Sequence, residues 1–228
     1  MAIGSFVKTK LALSLFALAF SASSHALTMD LYDYAINLDG TVTAGTPGSV
    51  DPLSLGLDAN GLGTMTFTIT GAGSHSFSAF FDFEFDEVNN TFFNESGSTS
   101  GTLAVGQSWE IDEPGYVFGD IYDNMLGNTL DNINSVPTGL KADVSFALGW
   151  NFTLAAGDLV TINLNLSDVF NTSGFYLQHT DNEVGSNFDL SESVYYWSDL
   201  TISPVPVPAA IWLFGSGLVG LIGLGLRK

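Results

Sequence analysis

Three carboxylates, Asp82, Glu84 and Asp86, recur at every second position of one stretch. On an extended chain this spacing puts them on one face at intervals of about 6.6 Å, with Glu87 next in line. A row of like charges repels itself. A Ca²⁺ ion held by the carboxylates and nearby carbonyl oxygens relieves the repulsion; exposure of the row to water, as a solvated outer face, relieves it as well. Glu110, Asp112, Glu113, Asp120 and Asp123 form a second acidic group in loop-like sequence. Asp58-Ala59-Asn60-Gly61 has the opening of a Ca²⁺ loop without its later ligands, and a turn accounts for it.

A different chemistry is written into residues 194–202. Val194, Tyr196, Leu200 and Ile202 share one phase and are predicted to point inward, which leaves Tyr195, Trp197 and Asp199 on the outer face. A flat Tyr/Trp pair beside a carboxylate can stack a sugar ring, or can pack beneath a loop. Signals for catalysis are poor. Beyond residue 26 the histidines are His75 and His179, far apart, and the chain has no cysteine, no H-E-x-x-H and no G-x-S-x-G. Paired carboxylates abound, so a two-carboxylate glycosidase is the enzyme class that stays open.

Charge narrows the partners. All 24 acidic residues lie between Asp30 and Asp199, where Lys141 is the one basic residue, giving this region a net charge of −23. Such a field repels nucleic acid and anionic lipid and attracts divalent cations. Eighteen phenylalanines supply apolar matter for a core, so the acidity does not mark a disordered chain.

The elements that must position these side chains read as β throughout. Met65, Phe67 and Ile69 alternate with threonines. Phe77, Ala79, Phe81, Phe83 and Phe85 alternate with Ser78, Phe80, Asp82 and Glu84, which predicts a half-buried strand. Asp39-Gly40 and Asn60-Gly61 are hairpin-type dipeptides, and Gly71-Ala72-Gly73 turns the chain. Residues 89–101 read as a polar loop, and 102–111 as the next strand, with Leu103, Val105 and Trp109 in the core phase. Residues 113–137 alternate poorly and fit long loops or a short helix near 121–126. Val144 to Leu154 and Val160 to Leu166 alternate on either side of Ala155-Ala156-Gly157-Asp158 and predict a hairpin. Strands near 175–180 and 194–202 complete an all-β, antiparallel two-sheet sandwich or jelly roll of about eight to ten strands. It occupies residues 27–202.

The flanks address this domain. Residues 1–26 carry Lys8 and Lys10, an apolar run from Leu11 to Phe20, and small residues ending at Ala26. This is the pattern of a secretory signal whose cleavage frees Leu27, with the Sec translocon and signal peptidase as partners. Prolines alternate through the linker 203–208. Residues 209–226 contain no ionisable side chain and span roughly 27 Å as a helix, a short crossing of the inner membrane. Arg227 and Lys228 favour a cytoplasmic end, which puts residues 27–202 on the outer side.

Val205-Pro206-Val207-Pro208-Ala209-Ala210-Ile211-Trp212-Leu213-Phe214-Gly215-Ser216-Gly217-Leu218, then Gly220-Leu221-Ile222-Gly223 and the pair Arg227-Lys228, resembles the PEP-CTERM family of sorting signals in its VPLPA-type variant. The resemblance covers residues 205–228, and Val207 stands where the Pro-Glu-Pro form has Glu. It implies recognition by an exosortase, a membrane-embedded cysteine enzyme that cuts near the proline motif. The protein is then passed to the cell surface or extracellular matrix of a Gram-negative, polysaccharide-producing bacterium.

Two function classes follow. The first is a non-enzymatic surface or matrix protein that requires no cofactor and binds exopolysaccharide and Ca²⁺. The second is a secreted glycan-active enzyme, a glycosidase or lyase, on the same scaffold.

Overall fold

Alternating side chains direct ten strands, and the computed structural model describes residues 29–85, 93–115, 117–136, 142–170, 174–182 and 193–204. The signal segment 1–26, residues 205–208 of the linker with the sorting motif, the apolar run 209–226, the basic end 227–228 and Asp86 all lie outside these residues. Among the described residues no helix is long and apolar enough to cross a membrane.

The strands are β1 (Met29–Leu38), β2 (Thr41–Ala44), β3 (Gly63–Thr70), β4 (Gly73–Phe85), β5 (Glu95–Ser100), β6 (Gln107–Asp112), β7 (Ser145–Leu154), β8 (Asp158–Ser167), β9 (Tyr176–Asp181) and β10 (Ser193–Pro204). One helix, α1 (Ile121–Gly127), lies between β6 and β7. Two antiparallel sheets form, in the orders β2-β1-β4-β7-β6 and β3-β8-β10-β9-β5. They bury a shared core in which Phe77, Phe81, Phe83 and Phe85 of β4 and Phe146, Leu148 and Trp150 of β7 face Val160, Ile162, Leu164 and Leu166 of β8 and Tyr196 of β10. Tyr196 meets Phe81 edge to face with ring centroids 5.2 Å apart.

Asp39 and Gly40, with φ of 52° and 83°, close the β1–β2 hairpin, as a two-residue turn of this hand requires. Other expected hairpins are corrected. Ala155-Ala156-Gly157 links β7 in the first sheet to β8 in the second; Gly71-Ala72-Gly73 turns the chain as expected, and that turn too crosses between sheets. Both are arches. Asn60-Gly61 belongs to a turn organised by Asp58, whose Oδ1 accepts from the Asn60 and Leu62 amides at 2.9 Å each. Gly61 is required there: its φ is 80°, and a Cβ would lie 2.7 Å from Leu31 Cβ. Residues 95–100, read as loop, form edge strand β5 paired with β9. Val105 is exposed before β6 rather than in the core.

The half-buried reading of β4 also fails. Its second face is covered, because Phe80 packs with Ala35, Ala147 and Leu130 beneath Ile121 and Met125 of α1. The sheet holds the helix by polar bonds as well. Asn37 Nδ2 donates to the Leu126 and Met125 carbonyls at 2.8 and 3.2 Å, and Ser78 Oγ donates to the Met125 carbonyl at 2.9 Å. The bond to Leu126 supplies a donor to a carbonyl at the helix end, while Met125, which also accepts from the Asn128 amide at 3.1 Å, gains further donors.

Candidate functional site

Two places gather the side chains that the sequence singles out. The first is the edge of β10. Pairing with β9 is recorded as far as Tyr196↔Leu177, while pairing with β8 continues to Pro204. From Trp197 onward the other edge of β10 borders a groove of about 530 Å³. Trp197, Asp199, Asn163 and Thr201 line it from the sheet, and Trp150, Gln107, Thr102 and Phe175 from the facing side.

Phase explains this lining. Val194, Tyr196 and Ser198 are buried, so Tyr195, Trp197 and Asp199 take the outer face as expected. Ser198 is the inward residue that the apolar pattern omitted: its Oγ accepts from Trp150 Nε1 at 2.9 Å. Ile202, expected inside, is 43 % exposed. Tyr195 leaves the groove to form an aromatic group with Phe170 and Tyr176, at centroid distances of 5.6 and 5.9 Å. The expected trio is therefore divided, with Trp197 and Asp199 in the groove and Tyr195 beside it.

Around Trp197 the outer face of the second sheet is sparsely charged and rich in hydrogen-bonding groups. Trp197 is paired in register with Asn165, and Asn165 with Thr64. Asp199 is similarly paired with Asn163, and Asn163 with Thr66. Each threonine hydroxyl donates to its asparagine oxygen, at 2.8 and 2.9 Å, which orients the amide and leaves its NH₂ for other acceptors. Asp199 is the one acidic residue of outward phase on the described strands of this sheet.

The second place is the outer face of the first sheet near the start of β7. Asp82 is fully buried and Glu84 is 7 % exposed, so the row does not form a solvated face. With Asp86 outside the described residues, the third carboxylate is Asp143, and oxygen atoms of Asp82, Glu84 and Asp143 all lie within 4.8 Å of one another. A register shift between Leu31 and Asp33 makes Tyr32 a bulge residue and brings Asp33 opposite Asp82, while Asp30 stands opposite Glu84. Gly48 N–H donates to the Tyr32 carbonyl at 2.8 Å and holds the bulge. Like charges directly opposite destabilise a sheet. Burial, then Asp143, Glu84, Glu95 and Asp33, push the Asp82 carboxyl well above the usual carboxylate range.

Inside the sandwich at the same end, His179 is fully buried with Nε2 2.8 Å from Glu95 Oε2, near enough for an ion pair but out of hydrogen-bond alignment. Burial pushes its pKa down to about 3, over the opposing pull of Asp143 and Asp181, so the imidazole is neutral. Glu95 Oε2 also accepts from the Val144 amide at 2.9 Å. Sequence phase makes Glu95 inward-facing only once β5 is recognised as a strand, whereas His179 shares the phase of Leu177 on the expected strand β9.

In the second acidic group, Glu110, Asp112 and Asp120 come together, but backbone and amide donors serve them. Glu110 accepts from Asn124 Nδ2 at 3.0 Å and the Asp131 amide at 3.3 Å, and Asp112 from the Asp120 amide at 2.9 Å. These carboxylates tie the α1 segment to β6. His75 stands apart, bonded to Asp39 at 2.8 Å beside the β1–β2 turn. No known protein family, curated protein or solved structure gives a significant match to this chain.

Proposed function

We propose that this chain is an exported surface or extracellular-matrix protein of a Gram-negative bacterium whose β-sandwich binds a neutral polysaccharide. The groove along the free edge of β10 carries this reading. Its volume of about 530 Å³ suits a few sugar units. Trp197 offers an indole face to the C–H face of a pyranose, while Asp199 and the Asn163 amide offer an acceptor and a donor to neighbouring hydroxyls. A uronate-rich chain is disfavoured, since the region carries 24 carboxylates against one lysine.

Delivery rests on the sequence: a Sec signal ending at Ala26, transient anchoring by residues 209–226, and processing near Val205–Pro208 by an exosortase-like enzyme. In the competing reading, a glycosidase, a second carboxylate must face the sugar bound beside Asp199. Both readings are separated by presenting the full chain, purified in detergent, to a panel of neutral and uronate-containing polysaccharides while assaying new reducing ends. Retention by a neutral polysaccharide without new ends is the expected result. Chain cleavage would establish the enzyme, and retention by uronate chains alone would remove the neutral-glycan reading.

A further inference from the structure

We propose that Asp82, Glu84 and Asp143 form a binding site for one Ca²⁺ ion, independent of the glycan groove. Geometry is the first support. Oxygens held 2.3–2.6 Å from a common ion lie no more than about 5.2 Å apart. Oxygen atoms of these three carboxylates already lie within 4.8 Å of one another.

Asp82 supplies a second, separate observation. It is 0 % exposed, and among the described residues neither of its carboxylate oxygens has a hydrogen-bond partner. A buried carboxyl group normally finds donors, because an unsatisfied one forfeits its hydration without compensation. Glu110 shows the ordinary solution in the same sheet, with donors from Asn124 and Asp131. Among the described residues the charges around Asp82 are of its own sign: Asp33 opposite it in register, and Glu84, Glu95 and Asp143. A cation at the three carboxylates supplies what the donors of the described residues do not.

The donor set selects the ion. All three ligands are carboxylates, which suit a hard cation rather than Zn²⁺ or Cu²⁺. Mg²⁺ holds its water shell tightly, whereas Ca²⁺ accepts a protein-rich coordination sphere completed by carbonyls. Asp33, opposite Asp82 in register, also lines an acidic cleft of about 300 Å³ with Asp120, Tyr122 and Asp123. Once bound, the ion joins β4 to Asp143, two residues before β7, and makes the stability of the sandwich depend on Ca²⁺.

Lys141, outside the described residues, is the alternative counter-charge because it lies two positions from Asp143. The test is calorimetric titration of the full chain, purified in detergent and stripped with EGTA, against CaCl₂ and MgCl₂, together with thermal unfolding. One Ca²⁺ per chain is expected, with a Kd of about 10⁻⁴–10⁻³ M and weaker Mg²⁺ binding. At tenfold excess over Kd the Tm should rise by about 3–6 °C. Asp82→Asn should weaken Ca²⁺ binding at least tenfold while raising the Tm in EGTA, a pair of changes that misfolding does not mimic. Glu84→Gln should weaken binding similarly, and Lys141→Gln should leave it intact. Absence of saturable Ca²⁺ binding, or wild-type affinity in both carboxylate variants, would overturn the site.

Discussion

Asp82 and Glu110 are buried carboxylates that the fold treats in opposite ways. Glu110 receives two donors, yet burial still pushes its pKa up to about 7, with Asp131 and Asp120 adding to the rise. Its ordinary value is 4.5, so between pH 4.5 and 7 the folded chain holds a proton that the unfolded chain has released. Stability from this group is therefore complete below pH 4.5 and lost as pH rises to 7. His179 works against it: with a pKa lowered from 6.5 to about 3, it costs stability as pH falls through that window. A single titration curve mixes the two. The contribution of Glu110 is isolated by Glu110→Gln, whose Tm should exceed wild type at pH 7.5, with the difference shrinking by pH 5. A pH-independent difference, measured by calorimetry in EGTA, would contradict the buried-proton account.

Among the elements, α1 best shows what side-chain patterning conveys and what it omits. Its seven residues give little periodicity, and its position depends on contacts with distant strands: Asn37 with Leu126 and Met125, Ser78 with Met125, Phe80 with Tyr122. Asn37→Ala removes the side-chain donor of the Leu126 carbonyl, while Met125 keeps those of Ser78 and Asn128, and should cost about 1–2 kcal/mol, lowering the Tm by about 2–8 °C. Urea unfolding monitored by Trp fluorescence would measure it, and a change below 0.5 kcal/mol would mean that water replaces the amide fully. The strands themselves were legible because inward phase is set by alternation, as Phe77–Phe85 and Val160–Leu166 demonstrate. Strand partners were not. An arch and a hairpin present the same alternation, so nothing in Ala155-Ala156-Gly157 distinguishes a crossing between sheets from a return within one. β5 escaped detection because Gly97 stands where an inward side chain would signal a strand; Ile111 Cγ2 would lie 2.3 Å from any Cβ there. The Tyr32 bulge shifts phase by one residue, and Asp143 is remote in sequence from Asp82. For that reason the acidic row was legible but its third member was not.

The acidic sandwich supports the proposed export only together with the expected signal at residues 1–26 and the sorting segment 205–228, and that proposal is tested by where the protein is found. Mass spectrometry of membrane and extracellular fractions should find a form beginning at Leu27, and an extracellular form lacking the apolar run 209–226. A species that still ends at Lys228 in every fraction would remove the sorting step. The proposed glycan binding rests on Trp197. The most direct test is the Kd of the full chain for the neutral polysaccharide that retains it, compared with Trp197→Ala. Truncating a central aromatic anchor costs about 2 kcal/mol, so binding should weaken about 30-fold. Affinity of the wild type should change little between low and high salt, because the ligand is uncharged. Equal affinity of the two proteins, in a variant with wild-type Tm, would contradict glycan recognition in this groove.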